Sequence, residues 1–418
     1  MSNWTKSLLL AVLLVLLLGA CQPAPAQPAP ASLAIMNGAL WDGSQLIADG
    51  VVILRGNRIE AAGPAGTTPI PADARIVDAG GGTILPGLID GHVHNAAEPE
   101  IRRKFLEAGV TSVCDTGAGA VQLRQYQNPQ EGLPAARAYF AGPFLSAPGG
   151  YPADTDDSAR LGVGTPEEAR QAVQQLAAGG ADFIKVALDD GRSDEPLPVL
   201  STEVLQAVTD EAHRLGLTVR AHVLDVRYLD AALDAGVDAI EHIPAPELSR
   251  QVFELWMQRD LPLPLPRAYL DELQRLAGRQ IPLTPTIEVL ERRTCNAVAR
   301  SEKERTACVR VYIEALRQYR LMGGLIALGS DYGSAGMAAG LPWREMEFMQ
   351  QAGWSNAQIL TAATSNAARA CGQAGEIGSL QPGYLADLVI VDGNPLEDLT
   401  ALQRVLTVVL NGQIVIGD

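Results

Sequence analysis

The sequence predicts an α/β protein, a closed (β/α)8 TIM barrel flanked by a small β-sandwich built from both chain ends. Three observations carry that expectation. The chain has 418 residues, 47% of them hydrophobic, enough for one large barrel and an accessory unit. Its middle repeats one pattern, an Ala-rich helical stretch closed by Gly and followed by a short β-branched run. Its two ends instead carry short alternating strands separated by turn residues.

In chain order, Leu33 to Ala62 holds short strands broken at Trp41-Asp42-Gly43 and at Gly56-Asn57. Barrel strands are expected at Thr83 to His94, at Val110 to Cys114 after Gly109, and at Ala138 to Leu145. Further ones follow at Phe183 to Leu188 after Gly180, Thr218 to Val223 after Gly216, and Ala239 to Ile243 after Gly236. Ile281 to Ile287 after Gly278 and Leu325 to Leu328 after Gly324 bring the number to eight. Each pair is separated by room for a helix, which reads as a closed parallel barrel, with a doubly wound open sheet as the alternative. Asp387 to Ile416 adds two strands around an Asn411-Gly412 hairpin turn. Neither end has strands enough for its own core, so residues 33–82 and 376–418 are expected to share one sandwich, leaving 83–375 to the barrel.

Residues 1–20 read as an address. Lys6 and the amino terminus give a thin positive region, and Leu8 to Leu18 forms an apolar core too short to span a bilayer comfortably. The sequence Leu18-Gly19-Ala20-Cys21 resembles the lipobox of bacterial lipoproteins, which implies cleavage before Cys21 and lipid on its thiol. Residues 21–32 then form a lipidated cysteine and a Pro/Ala tether. The expected protein is exported, touches a membrane through that lipid alone, and keeps its catalytic domain outside the cytoplasm. Acidic residues outnumber basic ones 48 to 32, and the net charge of −16 repels phosphate backbones, so nucleic acid is excluded as a partner. Small molecules or short peptides remain; oligomeric state is not legible. Cys295 and Cys308 close a small loop if the chain bends between them, whereas one unbroken helix would hold them roughly 20 Å apart. Cys114 and Cys371, in apolar or Ala-rich surroundings, are expected as buried free thiols.

The chain holds five histidines, and four fall at strand ends. Alternate side chains share a face of a strand, so His92 and His94 point the same way. His222 ends the fifth strand, His242 the sixth, Lys185 lies in the fourth and Asp331 follows the eighth. In a barrel these ends converge on one mouth, where imidazole and carboxylate together suit a divalent metal, zinc being the one expected. His213 sits in a helical stretch and reads as a surface residue. For substrate contacts, the strand-end loops offer Tyr151, Arg227, Tyr228 and Tyr332, and a cationic Arg227 beside Tyr228 suits a carboxylate. Arg220 shares the parity of His222, with a structural ion pair as its expected role.

These residues resemble the metal-dependent amidohydrolase superfamily, in its imidazolonepropionase-like and binuclear Xaa-Pro-type dipeptidase branch. The likeness is carried by Ile84-Leu85-Pro86-Gly87-Leu88-Ile89-Asp90-Gly91-His92-Val93-His94, Gly109-Val110-Thr111-Ser112-Val113, Ala221-His222-Val223, Ile240-Glu241-His242 and the segment Ile377 to Val389. The resemblance implies two divalent ions, one held by His92, His94 and Asp331, the other by His222 and His242, with carboxylated Lys185 bridging them. It also implies hydrolysis of an amide, peptide or cyclic amide, with Asp331 as the acid–base group. Dipeptides and N-acyl amino acids are the expected substrates; lactone or carbamate hydrolysis, or a non-catalytic binding lipoprotein, are the alternatives. Lys185 has a structural alternative as the partner of Asp189 or Asp190. Trp343 stands where relatives often show His, so no substrate role carries over to it.

Overall fold

A computed structural model describes residues 32–119, 134–152, 159–191, 195–246 and 264–417. The expected signal segment, Cys21 and nearly all of the tether lie outside the described residues.

The chain begins with an antiparallel meander, β1 (Ser32–Trp41), β2 (Leu46–Arg55) and β3 (Arg58–Pro64). β4 (Arg75–Asp78) and β5 (Thr83–Pro86) then pair parallel to β1. The barrel follows as β6 (Leu88–Val93), β7 (Val110–Asp115), β8 (Arg137–Phe140), β9 (Phe144–Ser146), β10 (Arg160–Gly162) and β11 (Ile184–Ala187). It continues through β12 (Val219–His222), β13 (Ala239–Glu241), β14 (Pro282–Thr284) and β15 (Leu325–Ile326). The chain returns with β16 (Leu388–Val391), β17 (Val405–Leu410) and β18 (Gln413–Ile416).

Both ends build one eight-stranded sheet in the order β18-β17-β16-β5-β1-β2-β3, with β4 also on β1. Period-two alternation explains its two faces. Val52 and Leu54 of β2 pack with Ile35, Leu40, Ile84 and Leu388, whereas Val51 and Ile53 turn to the opposite side with Ala34. Thr83 to His94 is therefore not one strand: Thr83–Pro86 belongs to the terminal sheet, bonded to β16, and the barrel begins at Leu88. Pro86 has no N–H to continue a ladder, and the Gly87 N–H turns to the Asp387 carbonyl at 2.9 Å.

The expected strand Ala138 to Leu145 is likewise split, because Pro143 cannot donate and Gly142 takes a φ of +70°. β8 pairs with β7, while β9 pairs with β10 and, through Leu145 opposite Val186, with β11. The barrel closes where the segment after β15 meets β6, with Gly91 N–H donating to Leu328 O at 2.8 Å and Asp331 N–H to His92 O at 2.7 Å.

Helices cover the barrel with the expected periodicity. Thr165 and Glu168 form a capping box for the helix Pro166–Ala178, which buries Ala169, Ala172, Val173 and Leu176. Two helix ends depart from expectation. Gly278 lies inside the helix Arg267–Arg279, which Gln280 ends in the left-handed region, and Gly323 rather than Gly324 takes positive φ.

Two disulfides are present. Cys295 and Cys308 are bridged because the helical run stops at Val298, Ala299 is extended, and Ser301 caps a new helix, Glu302–Leu321. Cys114 and Cys371, expected as free thiols, are also bridged, with Cα atoms 6.1 Å apart. A separation of 257 residues hid this pair from local reading.

Candidate metal centre and active-site cavity

The mouth of the barrel is organised by β6. Asp90 and His92 share its inward parity, and the Asp90 carboxylate accepts from the His92 and Ser330 amides at 3.1 and 2.9 Å and from Ser330 Oγ at 2.6 Å. It thereby ties the first strand to the loop that carries Asp331. That loop approaches so closely that a Cβ on Gly329 would lie 2.8 Å from His92 Cβ. His242 and Asp331 adopt φ of +69° and +59°, backbone conformations that non-glycine residues keep only where surrounding structure enforces them.

The six predicted residues, His92, His94, Lys185, His222, His242 and Asp331, all line one cavity of about 910 Å³. His92 Nε2 and His94 Nε2 lie 3.7 and 3.1 Å from Asp331 Oδ1. His222 Nδ1 is 2.8 Å from His242 Nε2, and the rings of His92 and His242 are centred 5.1 Å apart. Lys185 is buried and has no ion-pair partner within 4 Å among the described residues. The structural alternative for it is not found: Asp189 faces His222 Nε2 at 3.3 Å, and Asp190 accepts from Arg227 and Tyr228.

Hydrogen bonding fixes which ring nitrogens are free. His92 Nδ1 lies 2.6 Å from Glu241 Oε2, a carboxylate that can only accept, so Nδ1 carries the proton and Nε2 a lone pair. Thr286 Oγ donates to the Pro285 carbonyl, so it accepts from His242 Nδ1 at 2.6 Å and leaves His242 Nε2 unprotonated. Asp331 Oδ1 is buried without a well-aligned hydrogen bond, His94 Nε2 at 3.1 Å included, and faces the His92 lone pair at 3.7 Å. Two acceptors opposed without a donor are unfavourable until a cation stands between them. The donor set of two imidazoles and a carboxylate, with ligand atoms all within 4.8 Å, fits a divalent ion.

At three of the four histidines the protonation state agrees with that fit. Burial, reinforced by the Lys185 charge, lowers His92 to about 4. Burial and the neighbouring rings hold His242 well below its usual value, and burial lowers His222, so all three are neutral imidazoles at pH 7, the state that metal ligation requires. Burial opposes the charge on His94 too, but the Asp331 carboxylate prevails and its pKa rises. Burial would raise Asp331, yet His92, His94 and Lys185 outweigh it and keep the carboxylate ionised far below neutrality. Burial brings the Lys185 amine down to about 8.

An outer layer, in which sequence assigned a role to Arg220 alone, positions these groups. Glu241, wholly buried, accepts from Arg220 Nε at 2.7 Å as well as from His92. Arg220 also donates to Gly91 O at 2.5 Å and lies over the Phe183 ring, in keeping with the ion pair expected of it. Glu345 accepts the Ile287 and Glu288 amides at 2.9 and 3.0 Å, fixing the turn that holds Thr286 against His242. A charged residue adjoining a metal-type histidine in a strand was the available signal for Glu241; nothing local marked Glu345.

Of the substrate candidates, Tyr151 lines the cavity and stacks on His222, with centroids 4.8 Å apart. Arg227 and Tyr228 do not line it. Asp225 caps the turn Val226–Tyr228 and holds the Arg227 guanidinium at 2.6 Å, so charge pairing inside the loop takes up the side chain expected to bind substrate. Tyr332 packs edge-on against Phe105 instead, and Trp343 donates to Glu347. His213 pairs with Asp238 at the surface as expected. The wall that sequence missed is the helical segment after β14, which contributes Val289, Leu290, Arg293, Thr294, Ala297 and Val298.

A family model described as "Amidohydrolase family" matches residues 83–415. The chain is 29% identical over 244 residues to ochratoxinase of Aspergillus niger, covering 57% of this chain and 46% of that protein. The chain thus spans about half the length of the first curated relatives it matches. It is 27% identical over 399 residues to imidazolonepropionase of Symbiobacterium thermophilum, covering 83% and 84% of the two chains. Among solved structures, a putative prolidase from Bifidobacterium longum superposes with a TM-score of 0.71 at 28% identity, over 93% of this chain and 95% of the other.

Proposed function

From the premise that the chain belongs to the amidohydrolase family, we propose that it hydrolyses a carbon–nitrogen bond, in a dipeptide or an N-acyl amino acid, with metal ions at the barrel mouth. The observation that carries the reading is the unsatisfied Asp331 Oδ1 opposed to the His92 Nε2 lone pair. His92, His94 and Asp331 would hold one ion, His222 and His242 a second, with zinc the metal of choice for such donors. When bound, such ions supply Lewis acidity, which lowers the pKa of a water and polarises a carbonyl.

The chain's own residues do the rest. The Lys185 amine, lowered to about 8 by burial, would add carbon dioxide through its nitrogen lone pair and release a proton, giving a carbamate anion whose charge would help to hold the ions. Asp331, ionised at neutral pH, accepts the proton of the attacking water at its carboxylate and delivers it to the departing nitrogen, which leaves poorly as an anion. Glu241 holds the His92 tautomer through both steps.

The test is to count metal per chain by mass spectrometry and to screen dipeptides, N-acyl amino acids and lactones. Asp331→Asn is expected to cost about 100-fold or more in turnover, the scale of general acid–base catalysis. Full activity in that variant would refute the assignment, and hydrolysis of lactones alone would replace a C–N substrate by a C–O one. We also place the protein outside the cytoplasm on a lipid at Cys21; loss of labelled fatty acid in Cys21→Ser tests this.

A further inference from the structure

We propose that Arg293 reads a carboxylate on the substrate, and so makes a free acid the preferred ligand over its neutral counterpart. The inference rests on the cavity being a substrate site and names the residue that selects within it.

Arg293 lies on the π-helical turn Glu291–Cys295 that walls the cavity beyond β14. Apart from the six residues of the metal centre, it is the one charged side chain among the described residues lining that space. Its neighbours on the turn are committed elsewhere: Arg292 donates to Glu288 at 2.9 Å, and Glu291 faces Arg344 at 3.5 Å. The Arg293 guanidinium has no hydrogen bond or ion pair among the described residues, while its backbone carbonyl accepts from Asn296 N–H. Leu197, Leu224, Val289 and Leu290 supply apolar surface along the same cavity. A guanidinium with open donors at the edge of an apolar wall is suited to a carboxylate, which it meets with two parallel hydrogen bonds.

The net charge of the molecule gives such a group a further use. A net charge of −16 repels an anionic substrate, and a local cation at the cavity wall offsets that field for an entering free acid. The turn is also anchored, because Cys295 is buried two positions beyond Arg293 and bridged to Cys308 on the helix Glu302–Leu321. A fixed backbone lowers the entropy lost when the arginine engages its ligand.

The experiment compares two non-hydrolysable ligands, N-benzyl-L-leucine and its alcohol N-benzyl-L-leucinol, by calorimetry on the full metal-loaded chain. The acid is expected to bind at least about tenfold more tightly, as a charged hydrogen-bond pair provides. Arg293→Gln should bring the ratio close to one, and Arg293→Lys, which keeps the charge without the fork, should fall between. Equal binding of both ligands by the natural protein, or a preference that persists in Arg293→Gln, overturns the proposal. Hydrolysis of N-acetyl-L-leucine and of leucyl dipeptides is measured in parallel: an Arg293-dependent binding preference with no hydrolysis of either class upholds this inference and removes the hydrolase reading instead.

Discussion

Replacing Glu345 by Gln preserves size and removes a proton site from beneath the proposed metal centre. Burial pushes the Glu345 carboxyl from 4.5 up to about 8, against the two amides it accepts. The folded chain therefore keeps a proton that the unfolded chain releases above about 4.5, and stability falls as pH rises from there to about 8. At about 1.4 kcal/mol per pKa unit, the wild type loses roughly 3–4 kcal/mol between pH 5 and pH 8 through this group alone. Gln does not titrate, but its single oxygen cannot serve both amides, a constant cost of about 1–3 kcal/mol. Glu345→Gln should thus be the less stable protein at pH 5 and the more stable at pH 8. Urea unfolding of chelator-treated wild type and variant across that range reads the difference, in which other titrating groups cancel. A stability difference independent of pH would refute the reasoning.

Glu241→Gln leaves the fully buried Arg220 without its counter-charge, and unfolding measurements should show a loss of about 3–5 kcal/mol. With His92 no longer held, metal affinity should fall about 10- to 100-fold in a titration with zinc. Gly329→Ala drives a methyl into Thr284 Cγ2 and to 2.8 Å from His92 Cβ, so metal content should drop together with a stability loss of about 1–3 kcal/mol. Removing the Cys295–Cys308 bridge, which joins residues 13 apart, should cost about 3 kcal/mol of stability by denaturant titration in oxidising buffer. The same double serine variant should weaken the Arg293-dependent preference for acids.

Residues carried by strand alternation were the legible part. His92 and His222 stand on inward faces set by a period of two, while His94, His242 and Asp331 follow directly on strand ends, so their place at the ends of barrel strands brought all five to one cavity. Features that depend on three-dimensional company were not. Thr83–Pro86 has the composition of a barrel strand, but β16 claims it, and the break at Pro143 shows only when two different neighbours are seen to bond its two sides. Arg227 carries the right charge after the right strand, yet Asp225 and Asp190 bind it first. Arg293 was passed over because it lies in a helical turn beyond the strand, and no local pattern shows that this turn faces the cavity.

The pairing of β5 with β16 sets an order of events during synthesis. A chain emerging from its N-terminus makes β1 to β5 first and must keep the open edge of β5 unpaired while the whole barrel is translated. Completion of the terminal sheet waits for the last strands, long after the cavity-lining residues have been made. That exposed edge is where mispairing with another nascent chain would begin, and a variant truncated before Leu388 should aggregate rather than dissolve as a free barrel.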